Sequence, residues 1–94
     1  EPMEIEAAAC ECDGVSMAAL IFEQEREHMT LYYVGEAEPS ELRKNLRRRL
    51  PAFMLPRLCI RLECMPRKEN GKLDRAQIAN MAGNENEQTS ENFR

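Results

Sequence analysis

Apolar positions recur along this chain with two different periods. Between Arg57 and Glu63 they alternate, with Leu58, Ile60 and Leu62 on one face and Arg57, Arg61 and Glu63 on the other, which predicts a half-exposed β-strand. Leu42, Leu46 and Leu50 recur at four-residue spacing and predict a helix with one buried stripe, started by Ser40 as N-cap and stopped by Pro51. Val15 to Phe22 is nearly all apolar on both parities and reads as a strand covered on both faces, although periodicity alone leaves a buried helix open. Met29-Thr30-Leu31-Tyr32-Tyr33-Val34 is rich in β-formers and is expected to pair antiparallel with it across the polar hairpin loop Glu23–His28. On that strand one tyrosine is expected in the core and the other at the surface.

Glu4 to Cys10 reads as a short helix with Ile5, Ala8 and Ala9 on one face, terminated at Asp13-Gly14. Leu50-Pro51-Ala52-Phe53-Met54-Leu55-Pro56 places two prolines around an apolar centre and reads as an extended, rigid connector. A last helix runs from about Asp74 to Met81, and Gly83–Arg94 reads as a disordered polar tail or linker. The expected fold is a small α+β domain over residues 1–82: about three strands in an antiparallel sheet, with packed helices and one functional loop.

That loop is Pro66-Arg67-Lys68-Glu69-Asn70-Gly71-Lys72-Leu73-Asp74-Arg75. Asn70-Gly71 is a turn dipeptide in which both residues accept positive φ. Lys72 follows the turn directly, so its ammonium group is expected on an exposed, backbone-fixed bend. Asp74, with Gln77 three residues on, is a candidate N-cap. Read alone, this is a tight turn carrying a solvated lysine.

Composition narrows the possibilities. Ninety-four residues with 43% hydrophobic and 32% charged content suit one small domain. A net charge of −4 argues against nucleic acid as a partner, and no apolar run is long enough to span a bilayer, so no membrane partner is expected. Cys10, Cys12, Cys59 and Cys64 lack zinc spacing, with His28 the lone histidine, and are expected as buried or half-buried reduced thiols, which favours a cytoplasmic location and no metal. His28 is expected to be a plain surface residue in a loop. Arg43, Lys44, Arg47, Arg48 and Arg49 form a basic helix, read first as a solvated face with its charges at the favourable C-terminal end. Glu1 is not an initiator methionine, which suggests a fragment of a longer protein.

The Leu50–Pro56 segment followed by Glu69-Asn70-Gly71-Lys72-Leu73-Asp74-Arg75 resembles the C-terminal subdomain of AMP-forming adenylating enzymes, above all the amino-acid adenylation domains of nonribosomal peptide synthetases and the D-alanine–carrier protein ligases. That family pairs Leu-Pro-x-Tyr-Met-x-Pro with Asn-Gly-Lys-x-Asp-Arg. Here Phe53 stands for the tyrosine, and Glu4-Ile5-Glu6 matches the end of a Gly-Glu-Ile-Glu segment with Met3 in the glycine's place. The resemblance implies an ATP-dependent ligase that joins a carboxylate to the α-phosphate of ATP, with Lys72 as the catalytic lysine. Asn70 and Gly71 would set the turn, and Asp74 and Arg75 would anchor it. It implies ATP and Mg2+ held mainly by a large N-terminal domain outside this chain. It also implies rotation of the small domain for thioester transfer to the phosphopantetheine of an acyl or peptidyl carrier protein. Arg43, Arg47 and Arg48 are then candidates for docking that carrier, and the isolated chain should not turn over. An acyl-CoA ligase and a non-catalytic interaction module on the same fold are the alternatives.

Overall fold

A computed structural model describes residues 2–85 of the chain. Helix α1 spans Pro2–Cys10, strand β1 Met17–Glu23, strand β2 His28–Val34, helix α2 Pro39–Arg49, strand β3 Leu58–Leu62 and helix α3 Arg75–Glu85. The strands of the β1–β2 hairpin take in Glu23 and His28, which pair with each other, so the turn itself is shorter than the expected loop. α2 begins one residue before the expected cap: Pro39 takes the first helical position, where its missing N–H costs nothing, and Glu38 precedes it in extended conformation. Ser40 is therefore not the N-cap. Leu42 and Leu46 are fully buried, and the Leu50 N–H closes the helix on the Leu46 carbonyl. The connector is not extended throughout: Ala52–Met54 forms a 3-10 turn, with the Met54 N–H bonded to Pro51 O and Leu55 N–H to Ala52 O. α3 runs to Glu85, into the stretch read as polar tail. The remainder of that expected tail, 86–94, lies outside the described residues.

The sheet order is β1-β2-β3. β1 and β2 pair antiparallel from Met17↔Val34 to Glu23↔His28. β3 joins β2 in parallel, from Thr30↔Leu58 to Val34↔Leu62, so the sheet is mixed and the expected all-antiparallel pairing is corrected. The cause is α2. It carries the chain back along the sheet, so β3 starts at the same end as β2 in a β-α-β crossover.

Both sheet faces are covered. On one lie α1 and α2, with Ile5, Ala9, Leu31, Tyr33, Leu42, Leu46 and Cys59 in contact; on the other lies α3, with Ile21, Tyr32, Leu58, Ile60 and Ile78. Two expectations change as a result. Tyr32 and Tyr33 are both buried, one per face. β3 is also not half-exposed: Cys59, on the face expected to meet solvent, is 0% exposed beneath α2, and Arg61 alone in the strand reaches water.

Candidate functional site

The loop after β3 is a miniature hairpin. Arg67 and Leu73 form an antiparallel bridge, flanked by bonds from Lys68 N–H to Lys72 O at 2.8 Å and from Asp74 N–H to Pro66 O at 3.0 Å. The Gly71 N–H returns to Lys68 O at 2.9 Å, closing the turn. Gly71 has φ of +89°, whereas Asn70 is not among the positive-φ residues. The turn is thus a three-residue loop ending on a left-handed glycine, not one with two left-handed residues. Asn70 contributes through its side chain instead: its Oδ1 accepts the Lys72 N–H at 3.0 Å. Cross-strand partners share a face, so Lys68 and Lys72 project together while Arg67 and Leu73 take the opposite side. Lys68 and Lys72 are both exposed.

The base of the hairpin is tied to the body of the domain. Asp74 caps α3 by accepting the Gln77 N–H at 3.1 Å. Arg75 clamps Glu6 of α1 with both guanidinium nitrogens, at 3.0 and 3.3 Å, and also donates to the Leu20 carbonyl at 3.3 Å. Glu6 in turn accepts the Leu20 N–H at 2.7 Å. β1 is an edge strand, so a carboxylate and a guanidinium together satisfy backbone groups of Leu20 that no neighbouring strand would meet. This bracket joins α1, β1 and the start of α3, and nothing in the sequence pattern announces it because its ends are 69 residues apart.

Arg67 was missed as well. Its guanidinium donates to Gly71 O at 2.8 Å and lies 3.2 Å from the Met17 sulfur on β1. Counting the hairpin register back from Lys72 would have found it.

The basic helix divides. Arg43 is half-buried and donates to the carbonyls of Pro56 and Arg57 at 3.0 and 3.1 Å, so it fastens α2 to the connector. Arg47 and Arg48 are exposed, with Arg48 reaching Asn45 Oδ1 at 3.3 Å. Phe53 stands 83% exposed on the 3-10 turn.

His28 departs from the plain surface residue expected. It is the first residue of β2, half-buried, with Nε2 3.9 Å from Glu23 Oε1 and a buried Nδ1 that has no partner among the described residues. Glu23 also accepts the Thr30 hydroxyl at 3.1 Å.

All four cysteines are free. Cys59 is pushed up to about 11 by burial, with the nearby Arg43 working against the shift. Burial also raises Cys12, against Arg49. Among the described residues no helix is long and apolar enough to cross a membrane.

Residues 4–72 match the family model described as AMP-binding enzyme C-terminal domain. The chain is 36% identical over 85 residues to gramicidin S synthase 2 of Brevibacillus brevis, covering 85% of this chain and 2% of that protein. It is 38% identical over 77 residues to tyrocidine synthase 2 of Brevibacillus parabrevis, covering 77% and 2%. With the delta-poly-L-ornithine synthetase of Acinetobacter baumannii it shares 39% over 80 residues, covering 77% and 6%. Among solved structures, a Mycobacterium tuberculosis fatty acyl CoA synthetase superposes with TM-score 0.77 at 26% identity, covering 85% of this chain and 17% of that one. Klebsiella oxytoca NpsA, bound to 3-hydroxyanthranilyl-AMSN, superposes with TM-score 0.78 at 25% identity, covering 86% and 17%. The chain thus spans a small fraction of each relative's own length.

Proposed function

The chain belongs to the AMP-binding enzyme C-terminal domain family, and on that premise we propose that it is the mobile small domain of an amino-acid-activating, AMP-forming ligase in which Lys72 serves acyl-adenylate formation. The observation that carries this reading is the hairpin itself: a lysine projected into solvent at the end of a loop whose turn, cap and base are each tied by hydrogen bonds.

In the adenylating step the substrate carboxylate attacks the α-phosphate of ATP and pyrophosphate leaves. Two anions meet, and charge builds on the phosphate oxygens. The Lys72 ammonium, placed between them, offsets the repulsion and fixes their geometry. A compact cation with three donors on a flexible stem suits this task, and the rigid hairpin supplies the aim that the flexible stem lacks. Asn70 and Gly71 set the peptide that carries Lys72, while Asp74 and Arg75 hold the base to α1 and β1. ATP and its Mg2+ are held mainly by a large N-terminal domain.

For the second step the small domain turns away and withdraws Lys72. A phosphopantetheine thiol on a carrier protein then attacks the adenylate, giving a thioester and AMP. Arg47 and Arg48, exposed on α2 beside the half-buried Arg43, suit the docking of an acidic carrier. Relatives at 36% to 39% identity, among them a gramicidin synthase and a poly-ornithine synthetase, support an amino-acid substrate. The similarity to a fatty acyl CoA synthetase supports coenzyme A as the alternative acceptor. ATP chemistry and four free thiols support the cytoplasm.

The test is ATP–pyrophosphate exchange by the intact enzyme against a panel of amino acids, wild type beside Lys72→Ala. Exchange with one amino acid, falling roughly 10²-fold or more in the folded variant, is expected. Exchange that survives the substitution would remove Lys72 from the chemistry. Exchange with fatty acids alone would move the chain to the acyl-CoA ligases.

A further inference from the structure

We infer that Arg67 is the positioning residue of the Lys72 loop. This rests on Lys72 acting in adenylation and goes beyond it to what aims the lysine. Three features lead to it. The Gly71 carbonyl belongs to the peptide bond that enters Lys72, and Arg67 Nη1 donates to it at 2.8 Å, so the guanidinium fixes the plane from which the lysine projects. The same guanidinium reaches across to the Met17 sulfur at 3.2 Å, so that plane is referred to β1 and through it to the sheet. The register puts Arg67 opposite Leu73, on the face away from Lys68 and Lys72; it therefore steadies the loop without competing for the anion that Lys72 meets.

The second end of the peptide is held from the other side. Asn70 Oδ1 takes the Lys72 N–H at 3.0 Å, while Arg67 takes the Gly71 carbonyl. Donor and acceptor of one peptide unit are thereby both satisfied by side chains, and the unit cannot swing without breaking one of them. Such ties matter because residues 67–72 are exposed and a Cβ at Gly71 would meet nothing within 4 Å, so little packing surrounds the tip of the turn. Arg67 is solvent-exposed, so its bond contributes little to global stability. Its consequence is geometric: a small displacement of a catalytic group costs rate steeply.

The experiment compares Arg67→Ala, Arg67→Lys, Lys72→Ala and the double variant Arg67→Ala/Lys72→Ala in the intact enzyme, reading adenylation, thioester formation from supplied acyl-adenylate, and thermal midpoint. Arg67→Ala is expected to lower kcat for adenylation roughly 10-fold with substrate KM little changed, the thermal midpoint held and thioester formation from supplied adenylate intact. Arg67→Lys, which keeps a cationic donor but loses the planar fork, should recover part of the rate. In the Lys72→Ala background the loss of Arg67 should cost nothing further, because a positioning residue acts only through the group it positions. Full activity of Arg67→Ala, or a loss that multiplies with that of Lys72→Ala, overturns the proposal while leaving Lys72 in place. A Lys72→Ala enzyme with normal adenylation would instead remove the reading on which the proposal stands. Should Arg67→Ala fail to fold, Arg67→Lys and the double variant Arg67→Lys/Lys72→Ala decide in its place: a rate loss that vanishes in the Lys72→Ala background supports the proposal, and one that multiplies, or full activity, overturns it.

Discussion

Two hairpins in this domain turn on a left-handed residue: Glu27 at φ 56° between β1 and β2, and Gly71 at φ 89° between β3 and α3. Their supports differ. The first turn is flanked by two seven-residue strands paired along their whole length. That ladder fixes the register, and it holds a glutamate in a conformation that costs an L-residue about 1–2 kcal/mol. The second turn has a single bridge behind it, Arg67↔Leu73. With so short a ladder the turn must be favourable in itself, so it uses glycine, and side chains from Arg67, Asn70 and Asp74 replace the missing strand bonds. A long ladder tolerates a poor turn, whereas a short one has to be built residue by residue. The loop built that way is the one that carries Lys72.

The largest change expected is from Glu6→Ala. Glu6 is largely buried and holds both the Leu20 N–H and Arg75, so its loss strips the base of the short hairpin of its anchor. Unfolding free energy should fall by about 3 kcal/mol, and amide exchange at residues 66–76 should accelerate more than at β1 or β2. A loss below about 0.5 kcal/mol would mean the bracket is incidental.

Alkaline pH probes the sheet on which the long ladder rests, through Cys59 of β3, which pairs with Leu31 of β2. The Cys59 thiol stays protonated in the folded protein up to about 11, against an ordinary 9.0, because it is buried under α2. A raised pKa contributes stability that is fully present below 9 and lost as pH climbs toward 11, since the unfolded chain releases the proton first. Stability should drop by about 2 kcal/mol across that window, and Cys59→Ala should flatten the profile. An unchanged slope in the variant would place the alkaline loss elsewhere.

The smallest change is also the most direct contrast. Gly71→Ala should cost about 1–2 kcal/mol through backbone strain alone, since the new methyl meets open space, whereas Glu27→Gly should stabilise by up to about 1 kcal/mol. Denaturant midpoints for the two variants should therefore move in opposite directions. Movement in the same direction would show that the glutamate's side chain, not its backbone, decides the first turn.

Local signals were legible in the sequence and long-range ones were not. The Leu42/Leu46/Leu50 stripe, the β1–β2 hairpin and the Asp74 cap each depend on residues a few positions apart, and each is present, the hairpin with a shorter turn than the pattern gave it. The direction of β3 was not legible, because alternation says which face a residue takes and nothing about which way the strand runs. Cover over the second face of β3 was hidden for a related reason: Arg57 and Arg61 mark that face as polar, and α2 covers it with Arg43 spent on connector carbonyls, so Cys59 is buried as expected of a thiol but on a face read as exposed. The Lys72 loop was visible from its motif, but its mechanics were not. The Glu6–Arg75 clamp spans nearly the whole domain, and Arg67 is recognisable only once the hairpin register is known.

The most direct test of the central claim separates the two half-reactions in one enzyme. Lys72→Ala should be assayed in single turnover for acyl-adenylate formation from ATP and, separately, for thioester formation from supplied acyl-adenylate. The account predicts a fall of roughly 10²-fold or more in the first and a near-normal second, because under the proposed function Lys72 is withdrawn before the thiol attacks. Equal losses in both steps, or no loss in the first, would contradict it.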